Sequence, residues 1–249
     1  HARGGLQTEY MSDEWFDNIK ATLREGKKLQ MQSWGYDENG WPSGFGSGIV
    51  NGLGLKYQQK YLRCEETDQP VNNKNTIINL DYNGKNIHFY YEVNPFYVDT
   101  LDGEVINEFI RSTHEAYKEK LGDEFTDMAG FFTDEPQISR NGYPWSFILE
   151  KEYQKAYGKE LTPKLLDLFY QTETSSETKY NYFKLITNLF SENFVNNIYK
   201  WCCANGSALT GHMVLEEGLW AQLISNGACM PHYEYMTIPG MDNLGRELN

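Results

Sequence analysis

The sequence predicts an α/β protein: a (β/α)8 barrel of the TIM type, incomplete within these 249 residues and carrying a small antiparallel β insertion. Three observations point there. Short apolar runs alternate with segments of helical periodicity, the pattern of βαβ units and a parallel sheet. Acidic residues fall at or just beyond the C-terminal end of these runs, and in a barrel those ends form the face that carries the chemistry. One stretch, at about 57–90, breaks the alternation with two β-rich runs around Asn83-Gly84, a strong short-range hairpin signal. Residues 1–249 are read as one barrel domain of a longer protein, with the hairpin insertion at about 57–90.

The elements follow in order. Ser12 is placed to cap a helix, Asp13 and Glu14 suit its first turn, and Trp15, Ile19 and Leu23 recur at helical spacing before Lys27 and Lys28 close it. Leu29 to Trp34 reads as a strand, and the glycines and proline of 36–44 then read as a loop. Thr76 to Leu80 and Ile87 to Tyr91 form the two arms of the insertion. Residues 103–120 are helical, with Ile106, Phe109, Ile110, Thr113 and Tyr117 on one face. Met128 to Thr133 is a strand that ends in Asp134-Glu135-Pro136. A long helical region follows, strongest over 180–201. Ala208 to Met213 is the next strand, 218–224 a short helix, and Cys229 to Tyr235 a last strand. That makes about five clear strands, six if one precedes His1, where a closed barrel has eight.

Composition excludes several classes of function. Lys+Arg is 22 against Asp+Glu 35, a formal charge of −13, which disfavours nucleic acid or an anionic membrane surface as partner. No apolar run approaches the roughly 18 residues of a membrane-spanning helix. Cys64, Cys202, Cys203 and Cys229 have neither zinc-ligand spacing nor the density of a disulfide scaffold, so free thiols are expected. Gly44-Phe-Gly-Ser-Gly48 is glycine-rich but lacks the ending of a phosphate loop, and no G-x-S-x-G nucleophile elbow is present. Aromatic residues reach 15%, useful in a core and at a sugar-binding cleft alike.

The acids are the candidates for chemistry. Glu135 emerges from an apolar strand beside Pro136, a setting that raises a carboxyl pKa as a general acid requires; a surface turn or a helix cap is the competing reading. Glu216 and Glu217 follow His212, itself placed to bind a hydroxyl or a carboxylate, or else they open the next helix. Glu38 sits between Tyr36 and Trp41, a carboxylate flanked by rings that could stack on a sugar, or else a solvated turn acid. Glu234 and Asp242 are weaker candidates, Asp99 and Asp102 are expected to cap the following helix, and Arg3 would reach the barrel mouth if a strand precedes it. Carboxylates on one face, with aromatics and no nucleotide motif, point to glycosidic bond cleavage by an acid and a second carboxylate.

Those residues also resemble a known group. His1-Ala-Arg-Gly-Gly-Leu6, Tyr36-Asp-Glu-Asn-Gly-Trp-Pro-Ser-Gly44, Phe131-Phe-Thr-Asp-Glu-Pro136, Gly211-His212 with Glu216-Glu217, and His232-Tyr-Glu-Tyr-Met236 resemble bacterial glycoside hydrolases of the α-L-rhamnosidase-like type, family 106 and its relatives. The resemblance implies a catalytic (β/α)8 barrel with further β-sandwich domains in the same polypeptide. It implies an inverting hydrolase degrading plant or host oligosaccharide or polysaccharide, in the periplasm or secreted, and a calcium ion near the sugar. Carried onto this chain, it makes Glu38, Glu135 and one of Glu216 and Glu217 catalytic, without dividing the acid and base roles. Trp34, Tyr36, Asp37, Trp41, Asp134, His212, Glu234 and Arg3 become substrate contacts. The alternative is a non-catalytic carbohydrate-binding barrel or an inactive fragment of such an enzyme. A weaker one is a metal-dependent carbohydrate enzyme such as a lyase.

Overall fold

The computed structural model describes residues 5–242. In chain order its elements begin with helix α1 (Asp13–Lys28) and strand β1 (Ser33–Tyr36). Strands β2 (Gln58–Thr67), β3 (Thr76–Tyr82) and β4 (Lys85–Val98) follow. Next come α2 (Gly103–Phe109), a π-helical turn (Ile110–Glu115), α3 (Ala116–Leu121), β5 (Met128–Asp134), β6 (Tyr143–Trp145), α4 (Leu149–Tyr157) and α5 (Leu166–Phe169). The last part holds α6 (Ser175–Phe190), a second π turn (Ser191–Asn196), α7 (Asn197–Ala204), β7 (Ala208–His212), α8 (Leu219–Ser225), α9 (Met230–Tyr233) and β8 (Ile238–Pro239).

Two sheets result. The first is parallel, in the order β1-β5-β7-β8, with Tyr36 beside Phe132 and Asp134 beside His212. It is open among the described residues and has four strands where the incomplete barrel expected from the sequence had five or six, and no barrel is formed. Four strands are too few to wrap around, because closure fixes strand number, tilt and stagger together. The strand expected over 229–235 is the helix α9, with Pro231 in its first turn, where a missing N–H costs nothing. The strand expected from Leu29 begins later, since Leu29 to Met31 finish the end of α1, with Met31 N–H donating to Gly26 O (2.9 Å).

The second sheet is antiparallel, in the order β3-β4-β2-β6. The antiparallel pairing expected at about 57–90 is present but larger, since β4 runs on to Val98 and β6 joins from 143–145. β3 and β4 are joined at Asn83-Gly84, both at positive φ (56° and 76°), the geometry that makes Asn-Gly a hairpin turn. Lys60 of β2 is buried against Asp99 (Nζ to Oδ2 3.4 Å). Asp99 was expected as a helix cap; Asp102 fills that place, accepting from Glu104 N–H (2.9 Å).

The core lies between the parallel sheet and the helices behind it. Phe131 is fully buried there, ringed by His114, Tyr117, Phe125 and Trp201 at centroid distances of 4.5 to 6.4 Å. Helix α1 closes one side through Trp15, Phe16 and Leu23, and Ser12 accepts from Trp15 N–H (3.2 Å) as its cap. Burying side chains of this size stabilises by roughly 1.5–3 kcal/mol each. Two glycines let the strands approach. A Cβ on Gly130 would meet Ala208 O at 2.2 Å, and one on Gly211 (φ 152°) would meet Thr133 O at 2.1 Å. All four cysteines are free, and Cys202 and Cys229 are buried.

Candidate active site

Successive side chains of a strand point to opposite faces. The even-numbered residues Trp34 and Tyr36 of β1, Phe132 and Asp134 of β5, Thr210 and His212 of β7 and Ile238 of β8 therefore share the face away from the helices. With Asp242 they line an open cavity of about 760 Å³. Its floor is apolar: Tyr36 stacks on Phe132 (6.0 Å, 19°) and His212 meets Phe132 edge-on (5.6 Å). Its polar groups gather at the C-terminal strand ends. Tyr36 OH lies 2.6 Å from Asp134 Oδ2, and His212 Nε2 lies 3.5 Å from Asp134 Oδ1. His212 is almost buried, and its Nδ1 has no hydrogen-bond partner among the described residues.

Glu135 stands at the rim of this cavity. Its backbone is left-handed (φ 50°), a conformation that costs a non-glycine residue about 1–3 kcal/mol and collects at functional positions. Its N–H donates to His212 O (3.2 Å), and its Oε2 accepts from Trp41 Nε1 (2.7 Å). Burial pushes the half-buried carboxyl above the ordinary glutamate value; the Trp41 bond and His212 pull the other way, and Asp134 and then Asp242 add smaller upward pushes. One ligand atom each of Glu135, His212 and Asp242 lie within 4.8 Å of one another. Calcium takes about six to eight oxygen ligands, so two carboxylates with an imidazole nitrogen do not fit it.

A brace beneath the strand ends positions these groups. Ser43 N–H donates to Asp134 O (2.9 Å), Ser43 Oγ accepts from Asp134 N–H (2.7 Å), and the same hydroxyl donates to Asp37 Oδ1 (2.5 Å). Asp37 is fully buried and cannot meet a sugar, contrary to its expected role as a substrate contact. Burial raises its carboxyl to about 8.

Glu38 is also fully buried, at the floor of the 36–48 loop. Its Oε1 accepts from the N–H groups of Asn39 (2.8 Å) and Ser47 (2.6 Å). Its Oε2 accepts from those of Gly44 (3.3 Å), Phe45 (3.0 Å) and Gly46 (2.7 Å). The glycine-rich segment does cradle an anion, and the anion is the chain's own carboxylate. Burial pushes Glu38 up while the amides pull it down; five donors that only donate match the ionised form. The catalytic role expected for Glu38 does not fit this placement.

The other expected residues disperse. Glu216 is tied to its own loop, accepting from Tyr233 OH (2.6 Å) and Met213 N–H (2.8 Å). Glu217 is exposed, and neither glutamate lines the cavity. Glu234 is exposed just past α9 rather than at a strand end. Trp41 and Trp34 are at the cleft, Trp41 through Glu135 and Trp34 as wall. Arg3 lies outside the described residues. Sequence reasoning overlooked Ser43, Phe132, Thr210 and Ile238 and ranked Asp242 low. Applying the two-residue alternation within β5 and β7 would have found Phe132 and Thr210.

No protein-family model matches the chain, and no curated protein matches it. Among solved structures it is similar to a rhamnosidase from Novosphingobium sp. PP1Y, at 17% identity and a TM-score of 0.46 over 62% of this chain. The likeness is distant, and the chain spans 16% of the length of that rhamnosidase.

Proposed function

We propose that this chain carries a glycosidase-type site in which Glu135 is the general acid and Asp242 the second carboxylate. The observation that carries the reading is the rim of the cavity: a strained, half-buried Glu135 gripped by Trp41, with Asp242 and His212 within 4.8 Å. Glu135 protonates the glycosidic oxygen as its bond to the anomeric carbon breaks. The Asp242 carboxylate stabilises or bonds to that carbon, and water completes hydrolysis, returning a proton to Glu135. The apolar wall of Trp34, Tyr36 and Phe132 suits the C–H face of a sugar. The motif resemblance supports a terminal α-L-rhamnose on a plant or host glycan as the sugar in this cleft.

A second reading, a carbohydrate-binding site without turnover, is favoured by the burial of Asp37 and Glu38, which removes two expected carboxylates from the cleft. The test is turnover of aryl and alkyl glycosides by the full chain and its Glu135→Gln variant. A general acid contributes about 10²–10⁴ in rate. The variant should lose that factor on alkyl glycosides and much less on activated aryl glycosides, whose leaving groups depart with little protonation. Equal loss on both removes Glu135 from the acid role. Sugar binding with no turnover by the native chain establishes the second reading instead.

A further inference from the structure

Beyond the cleft, two adjoining cavities of about 480 and 270 Å³ share Tyr143, Phe183 and Trp220 and form one groove between α6, α8 and the loop before β6. Arg140 lines its near end and lies over the Trp41 ring (4.3 Å from its centroid). Trp41 in turn holds Glu135, so the groove begins where the candidate acid is gripped. Lys179 and Lys184 of α6 line its far end, beside Tyr180. Five residues of helix set these two lysines about 7.5 Å apart along the axis.

We propose that this groove holds the uronate-bearing arm of a glycan whose terminal sugar occupies the cleft. The placement rests on the glycosidase reading; the binding chemistry does not. Trp220 is 72% exposed and Tyr180 65% exposed, and both rings line the same groove. A sugar ring has an apolar C–H face for such rings and polar edges for the groove walls. Among the described residues Arg140, Lys179 and Lys184 enter no ion pair with a carboxylate, whereas the neighbouring Lys159 is paired with Glu177. Arg140 and Lys184 instead rest on the rings of Trp41 and Tyr180 (4.3 and 5.6 Å), and in a chain of net charge −13 three cations without a carboxylate partner along an aromatic track favour an anion. A uronate carries its single charge on the ring edge and leaves the ring faces bare for stacking.

The experiment is affinity electrophoresis of the full chain in native gels. The gels contain polygalacturonate, its fully methyl-esterified form, polyglutamate or dextran sulfate, and circular dichroism verifies the fold of each variant. Polygalacturonate should retard the protein, the neutral ester should not, and added salt should weaken the effect. Trp220→Ala should weaken binding roughly tenfold, and Lys179→Gln with Lys184→Gln by roughly two- to fivefold each. The proposal is overturned if polygalacturonate causes no retardation, if the ester retards equally, or if folded Trp220→Ala binds as the native chain does. It is also overturned if polyglutamate binds as well, which marks an acidic-polypeptide surface, or if dextran sulfate binds better, which marks a sulfate site. Glu135→Gln separates the two readings, because it should slow turnover of alkyl glycosides by about 10²–10⁴ and leave polygalacturonate retardation intact. Retained retardation with undiminished turnover leaves the groove standing and removes the acid assignment.

Discussion

Five backbone amides converge on Glu38, and each can only donate. The carboxylate thereby ties the 44–47 segment to the end of β1 and holds Ser43 where it braces Asp134. Glu38→Gln keeps the size of the side chain but turns one acceptor oxygen into an NH2 group facing donors. A buried group left unpaired costs about 1–3 kcal/mol. The variant should therefore lose at least about 2 kcal/mol, read as a lower urea midpoint at unchanged slope. A loss below about 0.5 kcal/mol would sink the assignment of Glu38 as a structural anion. At this scale the sequence was only partly legible. Glu38 and Glu135 both follow an apolar strand run and look alike there. They are told apart by the glycine-rich segment that folds back onto Glu38 and by the Trp41 indole that reaches Glu135, contacts 6–9 and 94 residues away in the chain.

At the scale of elements, the site depends on how closely β5 and β7 pack. Gly211 has φ 152°, and a Cβ there would stand 2.1 Å from Thr133 O. That atom is backbone, so nothing flexible can move aside. Gly211→Ala should push the strands apart next to the Asp134–His212 pair and destabilise by more than about 2 kcal/mol, by overpacking and strain together. Thermal unfolding measures the loss, and a melting temperature within about 2 °C of the native value would contradict it. Helix α1, the helical stretches of 103–120 and 180–201, the Asn83-Gly84 hairpin, β5 and β7 could be read from periodicity and turn chemistry, because their signals are local; the π turns inside those two stretches could not. The 229–235 segment could not. Its mix of Cys, Met, His and Tyr suits a short strand as well as a helical turn, and only its packing under α6 and the second π turn decides, with His232 against Phe190 (4.9 Å).

For the whole molecule, the parallel sheet keeps two neutral titratable groups in its core. Asp37 Oδ2 faces His114 Nε2 at 4.0 Å with both side chains fully buried. Burial raises Asp37 to about 8 and lowers His114 to about 3, so at neutral pH the folded state holds an uncharged acid beside an uncharged imidazole. The unfolded chain ionises Asp37 near its ordinary value of 3.8. Between about pH 4 and pH 8 the folded state therefore binds one more proton than the unfolded state at this group, and stability falls as pH rises through that window. One pKa unit corresponds to about 1.4 kcal/mol. Asp37→Asn keeps the acceptor for Ser43 Oγ and removes the titration, and the other ionisable groups cancel in the difference between the two proteins. The variant should match the native chain near pH 4 and gain on it by up to about 1.4 kcal/mol per pH unit towards pH 8, where the gain levels off. Urea unfolding of both proteins across pH 4–9 gives the difference directly. A difference that stays flat with pH would mean that the folded state carries Asp37 ionised, with a proton on His114 as its counter-charge.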